Sequence, residues 1–233
     1  MSAALAAGTG VHFENIEKRF GGLYALRRVT LQISAGECVA LVGRNGSGKT
    51  TLLRIAARLA SPSSGTVSFT TNNENAAGEV RIGFVAHATM VYDELSAEEN
   101  LVLFARLQGT SAPEKRAENL LADVGLLERR SSLVRTFSRG MRQRISIARA
   151  LIHDPSMLLL DEPATGLDPQ SVVWLAGTLR RLRDAGCTMV MSLHGESQIS
   201  ALATRAVRLE AGAVAADTHT GADLPSTLAL ADA

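Results

Sequence analysis

Apolar and polar positions alternate through residues 11–20 (Val11, Phe13, Ile16) and again at Leu31-Gln32-Ile33, which predicts two half-buried strands. Gly21-Gly22 and Ala35-Gly36 place turns between strands. Cys38-Val39-Ala40-Leu41-Val42 is a continuous, short apolar run, as expected of a parallel strand covered on both faces. Helical spacing follows, with Leu52, Leu53, Ile55, Ala56, Leu59 and Ala60 on one broad face, until Ser61-Pro62-Ser63-Ser64-Gly65 stops it. Residues 66–70 and 80–85 read as strands, separated by a polar loop at 71–79.

The pattern then changes character. Ser96-Ala97-Glu98-Glu99 is a capping box opening a helix through Leu101, Leu103, Phe104 and Leu107 to Gly109. A second helix spans 113–124, and a third begins after Ser138-Arg139-Gly140-Met141 and is ended by Pro155. Residues 91–153 contain no convincing strand, so they read as a helical subdomain inserted into a β/α chain whose core is 11–90 and 154–212. Buried strands return at Met157-Leu158-Leu159-Leu160 and at 188–193, with a helix from Asp168-Pro169 to Gly186 between them. Ile199 to Leu202 and Ala206 to Leu209 form a last pair, residues 1–10 are expected to be frayed, and 213–233 gives no element and reads as a tail.

Composition narrows the class. The 233 residues suffice for one large domain, and the formal net charge of +1 supplies no long-range field for nucleic acid or an acidic membrane. Cys38 and Cys187, both in expected core strands, fit buried thiols in a reducing compartment. No secretory leader and no span long and apolar enough for a bilayer is read, so a cytosolic chain without direct membrane insertion is expected.

Candidate chemistry lies where buried strands end. Gly43-Arg44-Asn45-Gly46-Ser47-Gly48-Lys49-Thr50, with Thr51 after it, fits G-x-x-x-x-G-K-[ST] between a strand and a helix. Glycines let several N–H groups point inward at a phosphate, and the helix start adds unpaired donors and a positive dipole end. Lys49 is suited to the terminal phosphates and Thr50 to Mg²⁺. Asp161 and Glu162 follow a second strand, placing one carboxylate to hold Mg²⁺ and the next to polarise a water for attack on a γ-phosphate. His194 ends a third strand and reads as a γ-phosphate sensor paired with Glu162, or as a half-exposed histidine. Phe20 either stacks on a nucleobase or pins the adjacent turn. Ser138 is at least a helix N-cap, and with Gly140 it offers a second anion site that a second copy of the chain would use in trans.

Over residues 11–212 these features together resemble the nucleotide-binding domain of ABC transporters. The resemblance implies a P-loop NTPase of RecA-like α/β fold, with a mostly parallel sheet, an N-terminal antiparallel β subdomain and an inserted helical subdomain. It implies roles for Phe20 in adenine stacking, Gly43 to Thr50 as Walker A, His87 at the Q-loop position and Ser138 and Gly140 in the signature. Asp161 and Glu162 correspond to Walker B, Asp168 to the D-loop aspartate and His194 to the switch histidine. ATP and Mg²⁺ are the implied ligands, with Thr50, Asp161 and His87 toward the metal. The implied partners are a second ATP-binding subunit, by expectation identical, and a separate permease docked between helical insert and core near His87. The expected location is the cytoplasmic face of the inner membrane.

Two departures stand out. The family usually has glutamine where this chain has His87, which predicts altered Mg²⁺ dependence or coupling rather than lost activity. Arg139 and Met141 replace glycine and glutamine in the usual signature, with Arg139 adding charge near phosphate or pointing to solvent. His87, the stretch from Tyr92 to Asn100 and Ser-Arg-Gly-Met resemble ATP-binding subunits of haem exporters in cytochrome c maturation; another drug, lipid or polysaccharide exporter is the alternative. A non-transport ABC ATPase would usually carry tandem units, coiled coils or basic insertions, which are not read here. An ATPase-dead module would lack some of Lys49, Asp161, Glu162 and His194, all of which are present.

Overall fold

A computed structural model of the chain describes residues 8–71, 80–193 and 198–219. Its strands are β1 (Thr9–Phe20), β2 (Leu23–Ile33), β3 (Cys38–Val42), β4 (Ser64–Thr71), β5 (Ile82–Val85), β6 (Met157–Asp161), β7 (Thr188–Ser192), β8 (Arg205–Glu210) and β9 (Ala213–His219). Its α-helices are α1 (Lys49–Ala56), α2 (Ala97–Leu107), α3 (Pro113–Asp123), α4 (Arg139–Ala150) and α5 (Pro169–Asp184). One sheet runs β2-β1-β4 and is antiparallel. The other runs β5-β6-β7-β3-β8-β9, parallel throughout except for the β8–β9 pair. This is the α/β arrangement expected from the sequence, with α2, α3 and α4 between β5 and β6 in the chain.

The continuous apolar strands are continuous because both of their faces are covered. Cys38, Ala40 and Val42 of β3 join Leu158, Leu160, Met189 and Met191 in a core shared with α4, α5 and the helical insert. Val39 and Leu41 point the other way, with Leu159 and Val190, into a second core closed by α1 and the antiparallel sheet. Strand periodicity assigns alternate residues to the two cores. Cys38 and Cys187 are free thiols, and burial pushes both up to about 12 from their ordinary 9.0.

Several expectations need correction. The helix after the glycine loop stops at Ala56, because Arg58 takes φ 59 and the N–H groups of Arg58 and Leu59 turn back to the carbonyls of Ile55 and Arg54. That is a Schellman ending with arginine in glycine's place. Leu59 is consequently 56% exposed rather than on the buried face. Residues 8–10 are not frayed: Thr9 and Gly10 are buried in β1, and Thr9 Oγ1 lies 2.7 Å from Ser156 Oγ. β2 starts eight residues before Leu31, where Arg27-Arg28 had obscured the alternation. The expected tail holds a strand, since β9 pairs with β8. Arg205 clamps it by donating from Nε and Nη2 to the two oxygens of Asp217, each at 2.7 Å. All but one residue of the polar loop at 71–79 lies outside the described residues.

Parallel order has one consequence for function. The carboxyl ends of β5, β6, β7 and β3 lie along a single sheet edge, so the residues that follow them are neighbours there.

Candidate functional site

β3 feeds a loop that only glycine could follow. Gly43 has φ 137, and a Cβ there would stand 2.2 Å from the Leu209 carbonyl; Gly48 has φ 108, with a Cβ 2.7 Å from the Ala25 carbonyl. α1 begins directly after Gly48, which has no side chain to cap the first N–H groups of the helix. Ser47 Oγ is buried and has no hydrogen-bond partner among the described residues. Lys49 is only 5% exposed, and its ammonium donates to the carbonyls of Gly43 and, at 3.1 Å, Arg44. Burial lowers its pKa, and the attraction of Glu162 and Asp161 partly offsets that. A cationic, donor-rich hollow of this kind fits a chain of phosphates.

The acidic side is built from β6 and β7. Asp161 is 4% exposed, and its Oδ1 accepts from Thr50 Oγ1 at 3.0 Å and from Ser192 Oγ at 2.7 Å. Its Oδ2 takes no hydrogen bond among the described residues. Ser192 Oγ also accepts from the Glu162 N–H at 2.9 Å, which fixes the turn where Glu162 adopts φ 50. Holding a glutamate in left-handed backbone costs about 1 kcal/mol. The carboxylate of Glu162 accepts from Thr165 Oγ1 at 3.3 Å and lies 3.8 Å from His87 Nδ1. Among the described residues no group of three or more His, Cys, Asp or Glu side chains is arranged to hold a metal alone. The pair Thr50 and Asp161 nevertheless fits Mg²⁺, which binds through one or two protein oxygens plus substrate phosphates and water.

A cleft of about 260 Å³ joins these parts, lined by Phe20, Ala25, Asn45 through Thr51 and Glu162. Phe20, 59% exposed at the tip of the β1–β2 hairpin, therefore stands beside the loop rather than merely beside its own turn. Arg44 and Gly43 instead line a neighbouring hollow with Leu209 and Ala211. Ser138, Gly140 and Asp168 do not line the cleft. Ser138 caps α4, accepting from Met141 N–H at 3.3 Å, and Asp168 caps α5, accepting from Ser171 N–H at 2.9 Å. The two caps are adjacent, because a Cβ on Gly140 would meet Ser171 Oγ at 2.5 Å and Asp168 Oδ2 at 3.4 Å. His87 Nδ1 lies beside the carboxylate of Glu162, the residue directly after Asp161. His194 lies outside the described residues.

Sequence reading overlooked Ser192. Its signal was there: a single hydroxyl in the otherwise apolar run Met189-Val190-Met191-Ser192-Leu193. Arg139 is exposed, yet it is also anchored within its own chain. Its guanidinium donates to the Thr165 carbonyl from Nε at 3.1 Å and Nη2 at 2.6 Å.

A family model described as ABC transporter matches residues 26–165. The linearmycin resistance ATP-binding protein of Bacillus subtilis is 34% identical over 220 residues, covering 92% of this chain and 70% of that protein. The Nod factor export ATP-binding protein I of Burkholderia orbicola is 35% identical over 207 residues, covering 87% and 68%. A dimeric ATP-binding cassette solved in a post-hydrolysis state with ADP and Pi superposes with a TM-score of 0.80 at 29% identity, covering 91% of this chain and 99% of that one. The chain belongs to the ABC transporter family, as an ATP-binding, ATP-hydrolysing subunit of such a transporter.

Proposed function

We propose that this member of the ABC transporter family hydrolyses ATP in the cleft between Phe20 and Glu162, as one of two copies that drive a separate exporter permease. The observation carrying this reading is the single edge where an uncapped α1, Lys49, the Thr50–Asp161 pair and Glu162 meet. Phe20 stacks on the base. The loop N–H groups from Gly43 to Gly48, with Ser47, Lys49 and Thr51, hold the phosphates. Thr50 and Asp161 are the residues that would hold Mg²⁺, which when bound supplies charge neutralisation on the phosphates. Glu162 takes a proton from water as its oxygen attacks the γ-phosphorus in line and the bond to ADP breaks. His194 completes the γ-phosphate contacts in this reading.

Ser138 and Gly140 do not line the cleft of their own chain, which supports their use on the nucleotide of a second copy, with Asp168 beside them. The dimeric relative with ADP and Pi supports the same assembly.

In this reading His87 serves both the attacking water beside Glu162 and Mg²⁺. Replacing it with glutamine is expected to move the Mg²⁺ concentration for half-maximal turnover by about threefold while kcat stays within about tenfold, measured by phosphate release across a Mg²⁺ titration.

The permease docks in the groove of about 200 Å³ between insert and core, whose wall includes Leu59, Met90, Phe104 and Arg149. Met90 is 46% exposed there although apolar. Met90→Asp is expected to cut co-purification with a co-expressed permease by about tenfold, leaving hydrolysis by the isolated subunit within about twofold. Equal recovery of the permease would remove this groove from the account.

No described helix is long and apolar enough to cross a membrane, so attachment at the inner face of the membrane would come through that partner. For the cargo, haem export has no support from relatives named for linearmycin resistance and Nod factor export. The alternative, another exporter of a drug, lipid or polysaccharide, is the better supported reading. Transport by the reconstituted subunit and permease of a labelled drug such as linearmycin, with none of haem, would test it.

A further inference from the structure

We propose that Arg139 is a positioning residue for hydrolysis, holding the turn that aims Glu162 from the N-terminus of α4 in the same chain. This rests on the reading of Glu162 as the group that activates water, and it adds a residue to which that reading assigns nothing.

The contacts form one short path. Arg139 is the first residue of α4, directly after the Ser138 cap. Its Nε and Nη2 converge on one acceptor, the carbonyl of Thr165, at 3.1 and 2.6 Å. Thr165 is in turn bound to Glu162 twice: its N–H donates to the Glu162 carbonyl at 3.2 Å, and its Oγ1 donates to Glu162 Oε2 at 3.3 Å. Arg139 thus grips the peptide group of the residue that grips the carboxylate.

The next residue is shaped to admit the guanidinium. Gly166 has φ 70, and a Cβ there would lie 2.6 Å from Arg139 Cζ. Gln143, one turn along α4, adds a donor from Nε2 to the Pro163 carbonyl at 2.9 Å. The segment from Glu162 to Gly166 is therefore hung on α4 at two carbonyls. It needs such support, because Glu162 itself is held at φ 50.

The path also explains why arginine is useful at a helix start, where its charge opposes the positive dipole end. A side chain that merely reached solvent would gain nothing there, whereas one drawn back onto a fixed carbonyl acts on the loop. Anything that shifts the first turn of α4, including a second copy closing on it, moves Thr165 and with it Glu162.

The test uses purified full-length protein. Arg139→Ala is expected to lower kcat for ATP hydrolysis about five- to tenfold while the KM and the dissociation constant of a fluorescent ATP analogue stay within about twofold. Arg139→Lys, which can still donate once, is expected to recover part of that loss. Thr165→Val, which removes the hydroxyl at nearly constant volume, is expected to lower kcat similarly, and the double variant to be no worse than the poorer single one. An unchanged kcat in Arg139→Ala, effects that multiply in the double variant, or a loss confined to nucleotide affinity would each overturn the assignment, the last by making Arg139 a phosphate contact. A parent protein without turnover, or a Glu162→Gln variant as active as the parent, overturns the underlying reading as well.

Discussion

Glu162→Gln protein is expected to bind ATP as the parent does and to hydrolyse it at least about a hundredfold more slowly. The substitution keeps the volume, the left-handed backbone turn and the Ser192 hydrogen bond to the residue's N–H, none of which depends on the carboxylate. What disappears is the carboxylate that takes a proton from water in this reading. An amide retains an acceptor but has no useful basicity, so the nucleotide remains unhydrolysed in an otherwise intact site. Phosphate release measured beside equilibrium ATP binding separates the two effects. A loss of binding in proportion to the loss of turnover would mean that Glu162 supports the loop rather than the chemistry.

Lys49→Ala acts one step earlier. The ammonium is almost fully buried, bound to the carbonyls of Gly43 and Arg44 at the centre of the loop. Burial depresses its pKa, and only Glu162 and Asp161 offset this. An arriving triphosphate would add the negative charge that the loop itself lacks. Removing the ammonium deletes charge-assisted bonds to phosphate and leaves two loop carbonyls without their donor, together about 2–3 kcal/mol. ATP affinity is therefore expected to fall about thirty- to a hundredfold. Fluorescence titration with an ATP analogue measures it, and unaltered affinity would mean that nucleotide, if bound, lies elsewhere.

The sequence revealed those parts of the fold in which one physical constraint dominates. A strand covered on both faces must be apolar throughout, so β3, β6 and β7 were legible with their ends nearly correct. The capping box at Ser96 was equally plain, and both of its hydrogen bonds are present. Elements held by a ladder rather than by their own apolar pattern were not. β9 is Ala-rich and has no strong strand propensity; the ladder to β8 and the Arg205–Asp217 pair hold it in place. The end of α1 was missed because Arg58 occupies a left-handed position that glycine normally announces. In the site, the loop and the two carboxylates could be read because their motif is contiguous. The partners of Ser192 and Arg139 could not, since each contacts a residue roughly thirty positions away in sequence.

The central claim is a nucleotide cleft completed by the α4 start of a second copy. Light-scattering mass of Glu162→Gln protein with Mg²⁺ and ATP tests it most directly. The account predicts twice the 24.6 kDa of one chain with ATP, and a single-chain mass with ADP or without nucleotide. It predicts a single-chain mass with ATP when Lys49→Ala or Ser138→Arg is added. A mass that ignores ATP, or doubles equally in all three conditions, would contradict it.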